Sequence, residues 1–216
     1  MKVKYFMGGY EKNLSYLIWC PKTRLAALID SSVEPNPVFD FINNNDLILE
    51  KIIITHSHRD HIHYLDDFIH QFPIINIYCH NNPINLSKKY CIGLDHNQVI
   101  SIGRHLLTIL HTPGHFADSI CIWSKESKII FTGDTVFIGR TGRVVSNTSS
   151  LEQLYTSIYD IILKLPLDTV IYPGHHYGFS KNAELNFNVK NSKFFQCKNI
   201  KEFKLVMEDF ERNRKK

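Results

Sequence analysis

Seven side chains able to bind a divalent cation stand at four punctuated points of the chain: His56, His58, Asp60 and His61 within THSHRDH, His115 in TPGH, Asp134 in TGD, and His175 in PGH. Neutral imidazole nitrogen and carboxylate oxygen bind zinc and similar ions at about 2.0 to 2.2 Å. A pair of ions about 3.5 to 4 Å apart needs roughly seven protein groups and a bridging solvent. Alternation along an extended segment sends His56 and His58 to the same side, and the turn that follows brings Asp60 and His61 beside them. An H-x-H-x-D-H match arises by chance with odds on the order of one in a thousand or less. Two bound cations lower the pKa of a bridging water towards neutrality and polarise a carbonyl or phosphoryl group under attack, which is hydrolytic chemistry on an ester, thioester, amide or phosphoester. No Ser-His-Asp pattern competes, and none is required when metals stabilise the oxyanion.

The elements around these residues read as short strands mixed with single helices. Strands are expected over residues 3–7, 14–20, 25–29, 47–55, 74–78, 105–111, 120–123, 128–132 and 169–172. Helices are expected after Pro35, with Val38, Phe39 and Ile42 on one face, and over residues 62–72, 150–163 and 200–210. The run Ile52-Ile53-Ile54 suits a strand buried on both faces, so the histidine cluster follows a central strand and precedes a helix. The mixture points to a layered α/β protein. His63 reads as a solvent-facing residue on a first helical turn and His111 as a packing or supporting residue. His70, His80, His96 and His105 read as ordinary surface or loop histidines.

With 216 residues, 44% of them hydrophobic, the chain is expected to form a single domain over 1–216 with a short C-terminal helical tail. Its net charge of +4 comes from scattered bases ending in Arg212-Asn213-Arg214-Lys215-Lys216, which reads as a solvated tail and disfavours a nucleic-acid partner. Five dispersed cysteines without a CxxC suggest reduced, mostly buried thiols. No apolar run approaches a membrane span, so a soluble, cytoplasmic protein with no membrane partner is expected, its oligomeric state left open.

Quoted in order, THSHRDH, TPGH, FTGDTVF (Phe131 to Phe137) and YPGHHYG (Tyr172 to Gly178) resemble the four metal-binding motifs of the metallo-beta-lactamase superfamily of hydrolases. SYLIWCPKTRLAALID is similar to that family's opening strands. The resemblance implies a four-layer αββα sandwich with the metals at one edge between two sheets. It implies one metal on His56, His58 and His115, a second on Asp60, His61 and His175, and Asp134 bridging them. Two divalent ions, zinc first, are thus expected, with Asp60 orienting the water bound there or accepting its proton.

Within the superfamily the chain is similar to short hydroxyacylglutathione hydrolases (the glyoxalase II group) and to glutathione persulfide dioxygenases. The first likeness implies hydrolysis of a small thioester or ester partner. The second implies a single Fe2+ on His56, His115 and Asp134, a facial triad. Arg143 matches a position where both groups turn a basic residue towards glutathione, and Tyr177 and Arg59 are further candidates for substrate contact. Three stretches depart from the pattern: Val144-Val145, HIHYL after the first motif, and Phe116-Ala117-Asp118 after TPGH.

Overall fold

In the computed structural model, which describes residues 1–214, the chain enters as an antiparallel hairpin of β1 (Lys2–Gly8) and β2 (Asn13–Trp19) and returns as β3 (Leu25–Ile29). Next come α1 (Pro35–Asn44), β4 (Ile48–Ile53), α2 (Leu65–Gln71), β5 (Asn76–His80) and β6 (Ile92–Leu94). These strands form one sheet in sequence order, with β3 to β6 mutually parallel. The second half supplies β7 (Val99–Ile102), β8 (His105–His111), β9 (Ile120–Ser124), β10 (Ile129–Gly133), the small hairpin β11 (Val136–Phe137) and β12 (Arg140–Thr141), and α3 (Leu151–Thr156). It closes with β13 (Val170–Pro173), β14 (Ala183–Glu184), α4 (Leu185–Asn191) and α5 (Ile200–Arg214). The second sheet runs β14-β13-β10-β9-β8-β7.

Side-chain alternation explains the layering. In β3, Ala27 and Ile29 join Ile109, Ile122 and Phe131 in a core between the sheets, whereas Ala26 and Leu28 face Val38, Ile42 and Phe68 of the first two helices. On the far side, Ile130 and Ile171 pack against Leu154, Leu185 and Phe203 of the last three. Three cores separate four layers, helix, sheet, sheet and helix, as expected. Each large aliphatic side chain fully buried there contributes about 1.5 to 3 kcal/mol of transfer free energy.

Several elements differ from expectation for local reasons. The helix expected over 62–72 begins only at Leu65, because His61 N–H bonds the His58 carbonyl and Tyr64 N–H bonds that of Ser31, committing the preceding residues to a loop. The strand expected over 47–55 ends at Ile53, and Thr55 N–H is taken by the Asp30 carboxylate at 2.7 Å. α3, whose first turn is capped by Ser150, widens into a π turn over Ser157–Ile161 and tightens again over Ile162–Lys164. β6, β7, β11, β12, β14 and α4 were not foreseen.

All five cysteines are free, and only Cys91 is not buried. No helix among the described residues is long and apolar enough to cross a membrane. Lys215 and Lys216 of the basic tail lie outside the described residues.

Candidate metal centre

The carboxyl ends of β3, β4, β8, β10 and β13 lie at one edge of the sandwich, so the loops leaving them converge: Asp30, then His56 to His61, His115, Asp134 and His175. All seven residues expected to bind metal meet there. His58 Nδ1 lies 2.9 Å from His56 Nε2 and 3.1 Å from His115 Nε2, a trio of convergent nitrogens. Asp60 Oδ2 lies 3.6 Å from His61 Nε2 and 3.3 Å from His175 Nε2, a second trio. Asp134 touches both, with Oδ2 3.6 Å from His115 Nε2 and 3.3 Å from His175 Nε2, and Oδ1 3.3 Å from His61 Nε2.

Four of the five imidazoles are oriented by an acceptor at their other nitrogen. His61 Nδ1 reaches Asp30 Oδ2 at 2.8 Å, His115 Nδ1 the Arg143 carbonyl at 2.9 Å, and His175 Nδ1 the Glu11 carbonyl at 3.2 Å. His56 Nδ1 faces Thr55 Oγ1 at 3.1 Å, and that hydroxyl in turn donates to Asp30 Oδ2 at 2.8 Å. Each arrangement keeps a proton on Nδ1 and turns Nε2 inward, the nitrogen that a metal would take. Asn13 Nδ2 donates to Asp60 Oδ2 at 3.0 Å. Between His56 and His58, Ser57 is pinned through its N–H and hydroxyl to the buried Asp118 carboxylate. Gly174 is obligatory: a Cβ there would collide with Asp134 Oδ1 and come within 2.7 Å of His61 Cε1.

Burial, followed by the neighbouring imidazoles, lowers the pKa of His56 well below its ordinary value and that of His58 to about 4. His115 is lowered mainly by burial too, so this trio is neutral and offers lone pairs at neutral pH. Burial would raise Asp60 and Asp134, but His175 and His61 outweigh it and hold both carboxyls below their ordinary range. Burial likewise opposes charge on His61 and His175. The carboxylates win, Asp134 foremost, raising His61 well above its ordinary value and His175 to about 9. The second trio therefore demands positive charge. His61 Nε2 and Asp134 Oδ1 are buried 3.3 Å apart without hydrogen-bond partners, an arrangement that a cation between them relieves. This donor set of nitrogen and carboxylate oxygen fits divalent metal.

A cavity of about 300 Å³ opens over both trios, walled in part by Tyr10, Phe137, Val145 and Tyr177. Tyr177 stacks on the His175 ring at 4.8 Å and donates its hydroxyl to the Glu11 carboxylate. Arg143 also lines the cavity, but its Nε and Nη2 each donate to a carboxylate oxygen of Glu211 at 2.7 Å. Arg59, a candidate for substrate contact, is exposed and absent from the lining, and Asn13 donates to Asp60. His63 is exposed, set edge-on to Tyr10 at 5.3 Å, while Tyr64 donates to Glu34. His111 bonds the Ala117 carbonyl and stacks on His80.

Sequence reasoning missed Glu11, Asn13, Asp30 and Arg214, the last a wall of the cavity where a solvated tail was expected. Asp118 had only the faint signal of departing from the family's pattern. A sequence profile of the metallo-beta-lactamase superfamily matches residues 9–175.

The chain belongs to the metallo-beta-lactamase superfamily.

Among similar members is a probable hydroxyacylglutathione hydrolase of Schizosaccharomyces pombe, 33% identical over 175 residues, covering 78% of this chain and 66% of the relative. The chain thus spans just under two thirds of that protein's length. The probable polyketide biosynthesis zinc-dependent hydrolase PksB of Bacillus subtilis is 32% identical over 187 residues, covering 85% of this chain and 82% of the relative. Of solved structures, ETHE1 from Myxococcus xanthus superposes with a TM-score of 0.87 at 26% identity, covering 97% of this chain and 91% of the other.

Proposed function

We propose that this superfamily member is a single-domain, metal-dependent hydrolase that cleaves a small acyl thioester or ester, foremost a thioester of the hydroxyacylglutathione type. The observation that carries the reading is the pair of donor trios joined by Asp134 at the floor of one cavity. The names of the yeast and Bacillus relatives support it, and the second supports zinc.

His56, His58 and His115 would hold one divalent ion, and Asp60, His61 and His175 the other, with Asp134 shared. Bound there, such ions supply an activated water near neutral pH and a Lewis acid for the thioester carbonyl. The chain's own residues do the rest. Asn13 Nδ2 donates to Asp60 Oδ2 and holds that carboxylate at the cavity floor, where it would orient the attacking water or accept its proton. Phe137, buried at the cavity wall, shields the reacting carbonyl from bulk solvent, and Tyr177, flat against His175, forms the wall along which the carrier lies. A leaving thiolate is stable enough near neutral pH to depart without a dedicated acid. Free thiols accord with a cytoplasmic setting.

The second reading, a glutathione persulfide dioxygenase with one iron on His56, His115 and Asp134, is favoured by the superposition on ETHE1 over 97% of the chain. Metal analysis of protein purified without added metal separates the two: about two zincs per chain for the hydrolase, about one iron for the dioxygenase. Zinc-loaded protein should hydrolyse S-lactoylglutathione or another acyl thioester well above the buffer rate. Rates matching buffer across a thioester and ester panel would sink the hydrolase.

A further inference from the structure

The cleft over the metal centre continues past Tyr177. Adjoining it is a second hollow of about 360 Å³, and Glu11, Tyr177 and Arg214 line both compartments. Lys12, His176 and Gly178 complete the second. Its two cations come from opposite ends of the described chain, Lys12 from the turn between β1 and β2 and Arg214 from the last turn of α5.

Charge in this region is arranged for a guest. Among the described residues neither Lys12 nor Arg214 has an ion-pair partner, whereas Arg143 is held by both oxygens of Glu211. Arg140 lies 4.1 Å over the Tyr177 ring and 5.2 Å over Phe210, and its buried Nε has no hydrogen-bond partner. Its pKa is lowered by burial first and, against Tyr177 and Asp134, which raise it, by the Arg214 and Arg143 charges. Glu11 is the one acid among the six residues lining the second hollow, and its carboxylate already accepts the Tyr177 hydroxyl. An anion entering there would meet unpaired cations and relieve their mutual repulsion.

We propose that Lys12 and Arg214 form a subsite for the anionic end of the substrate's thiol carrier, a carboxylate or a phosphate, with the carrier crossing over Tyr177 from the metal centre. The subsite rests on the thioester reading of that centre and adds what selects the carrier. It assigns anion recognition to a turn residue and a helix-end residue, with Arg143 spent on fastening α5 beside the cavity through Glu211.

Calorimetric binding of non-hydrolysable thioethers to zinc-loaded protein tests it. The probes are S-methylglutathione, S-methylphosphopantetheine and the neutral S-methyl-N-acetylcysteamine, each with the wild type and with Lys12→Ala/Arg214→Ala. Both residues are exposed, so the variant should fold. A charge-assisted hydrogen bond contributes roughly one to two decades of affinity, so the wild type should prefer an anionic thioether by about tenfold or more, and the variant should lose that preference. The preference should also shrink with added salt. Whichever anionic probe binds tighter identifies carboxylate or phosphate. A preference kept in the variant, or no anion preference in the wild type, would overturn the subsite. Acyl thioester turnover on the same preparations judges the hydrolase separately. Absent turnover with a preference that the variant loses refutes only the hydrolase, and turnover without a preference refutes only the subsite.

Discussion

Asp30 Oδ2 lies 2.8 Å from His61 Nδ1, and the same buried carboxylate takes both the backbone N–H and the hydroxyl of Thr55. Because Thr55 Oγ1 also faces His56 Nδ1, one acid at the end of β3 sets the ring angles of a histidine in each trio. Asp30 sits at φ 57°, a left-handed conformation that asparagine tolerates, so Asp30→Asn preserves the backbone while placing an NH2 against donors. The variant should weaken metal retention by about 10- to 100-fold. It should also lower stability by about 1 to 3 kcal/mol through unsatisfied donors. Chelator competition and thermal unfolding check both.

Gly174→Ala should act at the second trio. The added methyl collides with Asp134 Oδ1 and crowds His61 Cε1, while Gly174 N–H must keep its 2.7 Å bond to the Gly133 carbonyl. Overpacking of this kind costs about 1 to 3 kcal/mol. Expected are a folded protein with metal stoichiometry reduced and, on the binuclear reading, most hydrolysis lost. Full stoichiometry by elemental analysis would contradict the crowding.

The seven donors were legible because five of them, Asp60, His61, His115, Asp134 and His175, directly adjoin glycine or another donor, His56 and His58 alternate just before them, and the strand pattern set these runs at strand ends. Alternation along β3 and β4 likewise made both faces of the first sheet readable. The walls were not readable. Tyr10, Glu11 and Arg214 come from the two ends of the chain and meet only through tertiary packing. The engagement of Arg143 depends on Glu211, a helix away with no local signal. Asp30 looks like any acid ending a strand until its three donors are seen. Strands of two to four residues, such as β11, β12 and β14, are too short to display a period.

Metal affinity should rise with pH. His175 has a folded pKa of about 9 in the metal-free site. Its protonated form therefore contributes stability that is complete below the unfolded value of about 6.5 and is lost as pH rises through about 9. Asp60 and Asp134, lowered by folding, contribute with the opposite sign, present above about 4 and lost only in acid. A divalent ion competes with the His175 proton, so affinity should climb by up to about tenfold per pH unit across the upper window. Chelator competition at several pH values checks this, and a flat profile would count against His175 as a ligand.

His63→Gly should keep its metal. The ring is exposed and meets Tyr10 and Tyr64 edge-on, outside both trios. Its loss frees Tyr10, a cavity wall, so the expected change is in KM and substrate preference with unchanged metal content. Loss of metal on elemental analysis would make His63 a ligand.

Asp118→Ala should separate the two trios. Asp118 accepts from Ser57 N–H and hydroxyl and from Ile84 N–H, and Ser57 is the residue between His56 and His58. Removing the carboxylate leaves buried donors unpaired at about 1 to 3 kcal/mol each and lets the segment carrying His56 and His58 shift. Asp60, His61 and His175 have their own supports in Asn13, Asp30 and Glu11, none of which touches Asp118. The first ion should therefore dissociate at lower chelator concentration than the second, giving a biphasic release where Asp30→Asn weakens both. Cobalt substitution, with absorbance followed during chelation, resolves the phases. A single phase in the Asp118 variant would mean that the bridge through Asp134 couples the two positions more tightly than the loops hold them apart.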